Sequence, residues 1–214
     1  MKTILCFGDS NTWGCQPLTN LENIPRYGPD VRWGSVLRTS LGEGYSVIEE
    51  GLNGRTTVWA DPVEGEYKSG KSYLTACLES HAPLDLVAIL LGTNDLKHRF
   101  GLSAWDIAAC AGVLVQMVQS SAFGPGGSAP RVLLICPPPV SKLTLFAGLF
   151  EGAPEKSQQM ARCYSAVAAD YHCEFLDAGQ YVVSSDIDGI HLDPDQQQKL
   201  GQLVAEKVRA ILSL

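Results

Sequence analysis

The sequence is short of positive charge. Its 16 Lys and Arg stand against 23 Asp and Glu, a net charge of −7 over 214 residues. A polyphosphate backbone is repelled by that balance, so no nucleic acid is expected as a partner. No apolar run approaches the ~18–20 residues that a membrane helix needs. The N-terminal run Ile4-Leu5-Cys6-Phe7 stops at Gly8-Asp9, too short for the apolar core of a signal peptide. No membrane partner is expected, and a cytoplasmic location is. The seven cysteines, at 6, 15, 77, 110, 136, 163 and 173, contain no C-x-x-C. Metal-site spacing and a disulfide framework both lack support, and an odd number cannot pair within one chain. Several lie in apolar runs such as Leu134-Ile135-Cys136, as buried reduced thiols do. The phosphate-cradling patterns Gly-x-Gly-x-x-Gly and Gly-x-x-x-x-Gly-Lys-Ser/Thr are also missing, which argues against a nucleotide- or flavin-binding module.

What remains is a globular composition, 45% hydrophobic and 18% charged, of a length that suits a single domain over residues 1–214. No linker, internal repeat or heptad run divides it. Five short β-like runs stand at Thr3–Phe7, Tyr45–Glu50, Leu86–Leu91, Val132–Cys136 and Glu174–Asp177. The third and fourth are continuously apolar, as parallel strands buried on both faces are. Helical spacing appears at Trp33–Leu41, at Ser103–Gln119 and in the last segment, where Leu200, Leu203, Val204, Val208, Ile211 and Leu212 recur at 3–4-residue intervals. Asp193 can cap that last helix, and Pro194 suits its first position. The alternation predicts an α/β fold around a central, mainly parallel five-stranded sheet. Gly124–Pro130 is a loop by composition. Two connections are long, Gln16–Asp30 and Pro137–Glu155. The second carries the apolar stretch 143–150, which walls a pocket, meets another subunit or packs on the core.

Ligands of open α/β sheets bind beyond the carboxyl ends of the strands. Gly8-Asp9-Ser10-Asn11-Thr12 follows the first run, Gly54-Arg55 the second, Gly92-Thr93-Asn94-Asp95 the third, and Asp188-Gly189-Ile190-His191 lies beyond the fifth. Ser10 sits where a turn presents a hydroxyl at a helix start; alone it reads equally as a cap or an ST-turn. His191 can act as a base near neutral pH, and Asp188 can orient it; spacing alone also fits a surface loop. Asn94 and Gly54 offer the amide and backbone N–H donors that bind an oxyanion, or merely form turns. Asp186, Asp188, His191 and Asp193 together raise a Mg²⁺ or Mn²⁺ reading, weighed against ordinary capping.

The four blocks, taken jointly and in this order, resemble those of the SGNH hydrolases, also called GDSL esterases and lipases. The segments around Ser10 and Gly54 look closest to the bacterial arylesterase and acyltransferase branch. One departure is Arg55, where many relatives carry Asp. The resemblance implies a flavodoxin-like three-layer α/β/α sandwich, no cofactor and no metal. It implies Ser10 as nucleophile, His191 as base then acid, and Asp188 as its partner. The Ser10 and Gly54 N–H groups and the Asn94 side chain would form the oxyanion hole, and Asp9, Asn11, Trp13, Thr93 and Ile190 would contact substrate. The implied activity is hydrolysis of short-chain, acetyl-type or aryl esters, with possible acyl transfer to alcohols. A carbohydrate O-acetylesterase or a thioesterase would use the same triad. A small-molecule ester as partner and a homo-oligomer, with the 143–150 loop narrowing the channel, belong to the same expectation. A catalytic His191 would lose activity on protonation near its ordinary ~6.5. Trp13 lines the pocket or packs on a helix; Trp33, Trp59 and Trp105 read as packing or interface residues. His81, His98 and His172 have no partner visible in the sequence, and no neighbouring base marks Cys15 as reactive.

Overall fold

Strand formation follows from apolar runs that can be buried on both sides. The computed structural model describes residues 1–213. Its strands are β1 (Lys2–Gly8), β2 (Tyr45–Gly51), β3 (Leu86–Leu90), β4 (Arg131–Cys136) and β5 (Glu174–Asp177). They form one sheet in the order β2-β1-β3-β4-β5, and every pairing is parallel. Only parallel neighbours occur, so "mainly parallel" becomes wholly parallel. All five strands therefore end on the same edge, and β1 and β3 lie side by side near the middle.

Two cores flank the sheet, and side-chain alternation assigns each residue to one of them. Ile4, Cys6, Ala88, Leu133 and Ile135 face α2 (Trp33–Leu41) and α7 (Pro194–Leu212). Leu5, Phe7, Val87, Ile89 and Leu134 face α3 (Gly70–His81), α4 (Ala104–Gln119) and α6 (Met160–Asp170). Two short helices, α1 (Ser10–Trp13) and α5 (Ala153–Ser157), sit at the sheet edge. The result is a three-layer α/β/α sandwich.

The helices α3 and α6 were not visible in the hydrophobic pattern. The apolar face of α3 is narrow, only Leu74, Cys77 and Leu78, and that of α6 is built of Met160, Cys163, Tyr164, Val167 and Ala168. Weakly apolar or small side chains carry those stripes, so packing rather than periodicity reveals them. Ser103 is the cap of α4 rather than its first residue, and it closes a capping box with Asp106. Asp193 stands at the start of α7 but makes no side-chain cap; its Oδ1 accepts from Ser185 Oγ at 3.0 Å. Among the described residues no helix is long and apolar enough to cross a membrane.

The completely buried Leu134 of β4 packs in the core that α3, α4 and α6 cover. Leu134→Ala is expected to lower unfolding free energy by about 2–5 kcal/mol. Ser103→Ala, which removes an exposed cap, should cost about 1 kcal/mol. Urea denaturation of the two variants beside the wild type checks the order; equal losses would contradict this account of the core.

Candidate active site

The turn after β1 places Ser10 at the sheet edge. Gly8 has no side chain because the Leu90 carbonyl, 2.8 Å from where a Cβ would sit, and the Thr12 hydroxyl occupy that space. Asp9 Oδ1 accepts from the Asn11 N–H at 3.0 Å, which closes the turn into α1. Ser10 is thereby the first residue of a single helical turn, its hydroxyl aimed at the loop beyond β5.

That loop supplies His191. Its Nε2 lies 3.0 Å from Ser10 Oγ and its Nδ1 lies 2.6 Å from Asp188 Oδ2. Asp188 is wholly buried. Its Oδ1 also accepts from the Ile190 and His191 N–H groups, each at 3.0 Å, and its Oδ2 from the Leu18 N–H at 2.7 Å. Gly189 makes the tight turn possible: its φ is +89°, and a Cβ there would meet the Lys142 carbonyl oxygen at 2.9 Å.

Electrostatics follow from this packing. Burial pushes the Asp188 carboxyl up, but its bonds to His191 and to backbone N–H groups outweigh that and hold it below the ordinary range. Burial pulls the His191 ring down, yet its bond to Asp188, helped by the neighbouring Cys15 side chain, raises it to about 9. The ordinary value near 6.5 expected from sequence is thus displaced upward by the carboxylate. Burial also raises Asp9 and Asp95 to about 6 each.

The opposite wall comes from β2 and β3. Gly54 has φ +77°, and Asn94 Nδ2 donates to the Arg55 carbonyl at 3.1 Å, which joins the two segments. Asp95 accepts from the Thr57 N–H at 3.0 Å and from the Thr57 hydroxyl. Arg55 is buried; its Nη1 donates to the Gly8 carbonyl at 2.8 Å and to the Glu50 carbonyl, and its guanidinium lies 4.3 Å from the Phe7 ring centre. The departure noted at Arg55 is therefore a buried cross-brace between the ends of β1 and β2.

Ser10, Gly54, Asn94, Ile190 and His191 line one cavity of about 400 Å³. Leu18, Leu21 and Ile24 from the first long loop, Val63, and Phe146, Leu149 and Phe150 from the second supply its apolar walls. Phe146 sets its ring edge-on to His191, centroids 6.1 Å apart. The pocket-wall alternative for the 143–150 stretch holds, and burial of Phe146 and Phe150 in the core means that packing holds as well. Glu64, Lys97 and Arg99 form a polar side, with Lys97 and Arg99 both paired to the buried Asp61.

Four residues expected to contact substrate do not line this cavity. Asp9 closes the nucleophile turn. Asn11 Nδ2 donates to the Ile190 carbonyl at 3.1 Å and Asn11 Oδ1 accepts from the Leu192 N–H at 3.1 Å, clamping the His191 loop. Trp13 packs against the core with Arg26 4.8 Å from its ring centre, and Thr93 is buried at the start of the turn that carries Asn94. The metal reading of the C-terminal acids also changes: Asp188 turns inward to His191, whereas Asp186 accepts from Ser141 Oγ and Asp193 from Ser185 Oγ. Cys15, passed over for want of a neighbouring base, lines the cavity with His191, a proximity only the fold creates.

Chemically, a serine hydroxyl beside an imidazole backed by a carboxylate, facing backbone and amide donors, can perform acyl transfer. The sequence profile of the GDSL-like lipase/acylhydrolase family matches residues 6–199. The chain belongs to that family. Its fold is the SGNH hydrolase fold, and it is a serine ester hydrolase. The aryl esterase of M. smegmatis is 45% identical, with a TM-score of 0.94 over 98% of this chain and 99% of that one. A carbohydrate acetylesterase from Sinorhizobium meliloti is 41% identical, with a TM-score of 0.94 over 99% of this chain and 100% of that one. A lipase/acylhydrolase from Enterococcus faecalis, 18% identical with a TM-score of 0.67 over 99% of this chain and 97% of that one, shares the fold. No curated protein matches the sequence.

The raised His191 titration carries a stability signature. Its folded value of about 9 lies above the unfolded ~6.5, so His191 stabilises the fold fully below pH ~6.5 and the contribution is lost as pH rises through about 9. Asp188→Asn should return the ring toward its ordinary value. NMR titration of the His191 ring in both proteins reads this directly; equal midpoints would refute the assigned cause.

Proposed function

We propose that Ser10, His191 and Asp188 act as a catalytic triad on small carboxylic esters. The 3.0 Å Ser10–His191 contact, backed by Asp188 and opening into a cavity, carries this reading. Ser10 Oγ attacks the ester carbonyl while His191 Nε2 takes its proton. Asp188 stabilises the imidazolium that results. The Ser10 and Gly54 N–H groups and the Asn94 side chain receive the oxyanion. The alcohol departs with the proton from His191, and water attacks the acyl-enzyme by the reverse proton path.

The acyl group is short in this proposal, acetyl above all. A cavity of about 400 Å³ lies at the small end of ligand sites, and Phe146 stands against the reacting histidine. Aryl esters fit the apolar walls, in keeping with similarity to the M. smegmatis aryl esterase. Acyl transfer to alcohols is part of the same proposal, since an apolar cavity favours an alcohol over water as second acceptor. A second reading, an acetylated sugar as substrate, is favoured by the polar side formed by Glu64, Lys97 and Arg99 and by similarity to the S. meliloti carbohydrate acetylesterase. The rim residues Leu21, Ile24 and Val63 are 63%, 47% and 73% exposed, which supports a homo-oligomer covering the cavity mouth. Seven unpaired cysteines favour a reducing, cytoplasmic setting.

Hydrolysis of p-nitrophenyl esters from acetate to laurate, beside acetylated xylooligosaccharides and acyl-CoA, tests the substrate. Turnover is expected to fall with chain length, and turnover that rises with it would refute the acetyl reading. Ser10→Ala should lose roughly 10⁶-fold in kcat and Asn94→Ala roughly 10²–10³-fold. Ser10→Ala at wild-type rate would overturn the mechanism. The kcat/KM of the wild type should rise with pH through a midpoint above 6.5, because His191 accepts a proton only when neutral. A rate flat from pH 5 to 9, with chemistry limiting, would remove His191 as base.

A further inference from the structure

Away from the catalytic cavity, α3 carries two metal-ligating side chains one turn apart. Cys77 and His81 stand at i and i+4, so both project from one helix face. Glu50, at the end of β2, meets them there. His81 Nε2 lies 2.9 Å from Glu50 Oε1, and the donor atoms of Glu50, Cys77 and His81 all lie within 4.8 Å of one another. An ion pair by itself accounts for His81 and Glu50. The Cys77 thiol, at the edge of the buried face of α3, adds a third donor within reach of both. Sequence spacing missed the cluster because Glu50 comes from another element and Cys-x-x-x-His is not a common finger spacing. We propose that Glu50, Cys77 and His81 bind one divalent cation of the zinc type, at a site separate from the ester-hydrolysing centre.

The donor set is one thiolate, one imidazole and one carboxylate. That mixture suits borderline-soft Zn²⁺ better than Mg²⁺ or Ca²⁺, and three protein ligands leave a fourth tetrahedral position for water. Of the three donors, Glu50 also borders an open cavity of about 470 Å³, together with Leu52, Arg55 and Tyr73. The thiolate and the carboxylate together neutralise the ion. The neighbouring cation, Arg55, is turned to the Gly8 and Glu50 carbonyls and lies between the Phe7 and Tyr73 rings, 4.3 and 5.5 Å from their centres.

The proton balance is explicit. Without metal, burial first and then the charge of Glu50 push the Cys77 thiol up to about 12, so it carries its proton. As the Zn–S bond forms, the S–H bond breaks and the proton leaves to solvent. His81 supplies the Nε2 lone pair, Glu50 supplies a carboxylate oxygen, and the His81–Glu50 hydrogen bond is given up. Nothing is oxidised or reduced. The ion would tie Glu50 to α3 immediately before the segment Gly51–Thr57, which carries Gly54. Its role is thus a brace for the cavity wall.

Chelator-stripped protein titrated with Zn²⁺ by calorimetry, and with Co²⁺ by absorption, tests the site. One ion per chain is expected, with release of at least one proton read from buffers of different ionisation enthalpy. A thiolate-to-cobalt charge-transfer band is expected, as is a higher Tm in excess Zn²⁺. His81→Gln should weaken Zn²⁺ binding by about tenfold or more, as even supporting residues of metal sites do. Cys77→Ser should abolish the cobalt band, whereas Cys110→Ser and Cys173→Ser should leave it intact. Ester hydrolysis confirms that each variant folds; if Cys77→Ser does not, Glu50→Gln and His81→Gln decide the matter. Absence of stoichiometric Zn²⁺ binding overturns the proposal. So does binding that survives His81→Gln and blocks ester hydrolysis, which would place the ion at Cys15 and His191.

Discussion

Asp188 is a carboxylate with no access to water, and the rest of the site is arranged around satisfying it. An uncompensated charge at that depth would cost several kcal/mol. Four donors prevent this: the His191 ring, and the N–H groups of Leu18, Ile190 and His191. Each donor fixes a piece of chain. Leu18 pins the first long loop against the last one, Ile190 and His191 fold the C-terminal loop over Gly189, and the ring is held in the orientation that presents Nε2 to Ser10. Of these four bonds, the one to the His191 ring also makes the imidazole more basic.

A second polar relay holds this loop to the nucleophile turn. Asn11 pairs with the Ile190 carbonyl and the Leu192 N–H, and its own carbonyl accepts from Gln197 Nε2 at 3.1 Å. Gln197 Oε1 in turn accepts from the Trp33 N–H at 2.9 Å, at the start of α2. The start of the chain and its last helix are thereby locked to the same helix layer. On the far side of the cavity, Arg55 and Asp95 perform the equivalent service for Gly54 and Asn94. The residues that line the cavity beside Ser10 are few, and the geometry among them depends on buried side chains outside it.

The cavity itself is assembled from two loops of opposite origin. Residues 16–30 follow the nucleophile turn, and residues 137–155 follow β4, yet both deliver apolar side chains to one volume beside Ser10 and His191. Glu64, Lys97 and Arg99 oppose them with paired charges. The apolar wall and the charged wall border the one cavity that Ser10 and His191 line.

Much of this was legible in the amino-acid order. Doubly buried parallel strands read as unbroken apolar runs, so β3 and β4 stood out, and the chemical residues followed strand ends because the sheet edge is where loops converge. Ser10, Gly54, Asn94, Asp188 and His191 stood out because four short blocks occur in a fixed order, and the fold brings them together. The helices α3 and α6 were hidden, since small and weakly apolar residues make their buried faces. The supporting contacts were hidden for a different reason. Leu18 and Asp188 are 170 positions apart, Asn11 and Ile190 179, and Arg55 and Gly8 47. Local sequence determines strand, turn and cap through backbone preferences that act over a few residues. Which polar group satisfies which, whether Asn11 meets substrate or another loop, and how far Asp188 raises His191 were decided only when packing excluded water and brought those distant groups into hydrogen-bond range.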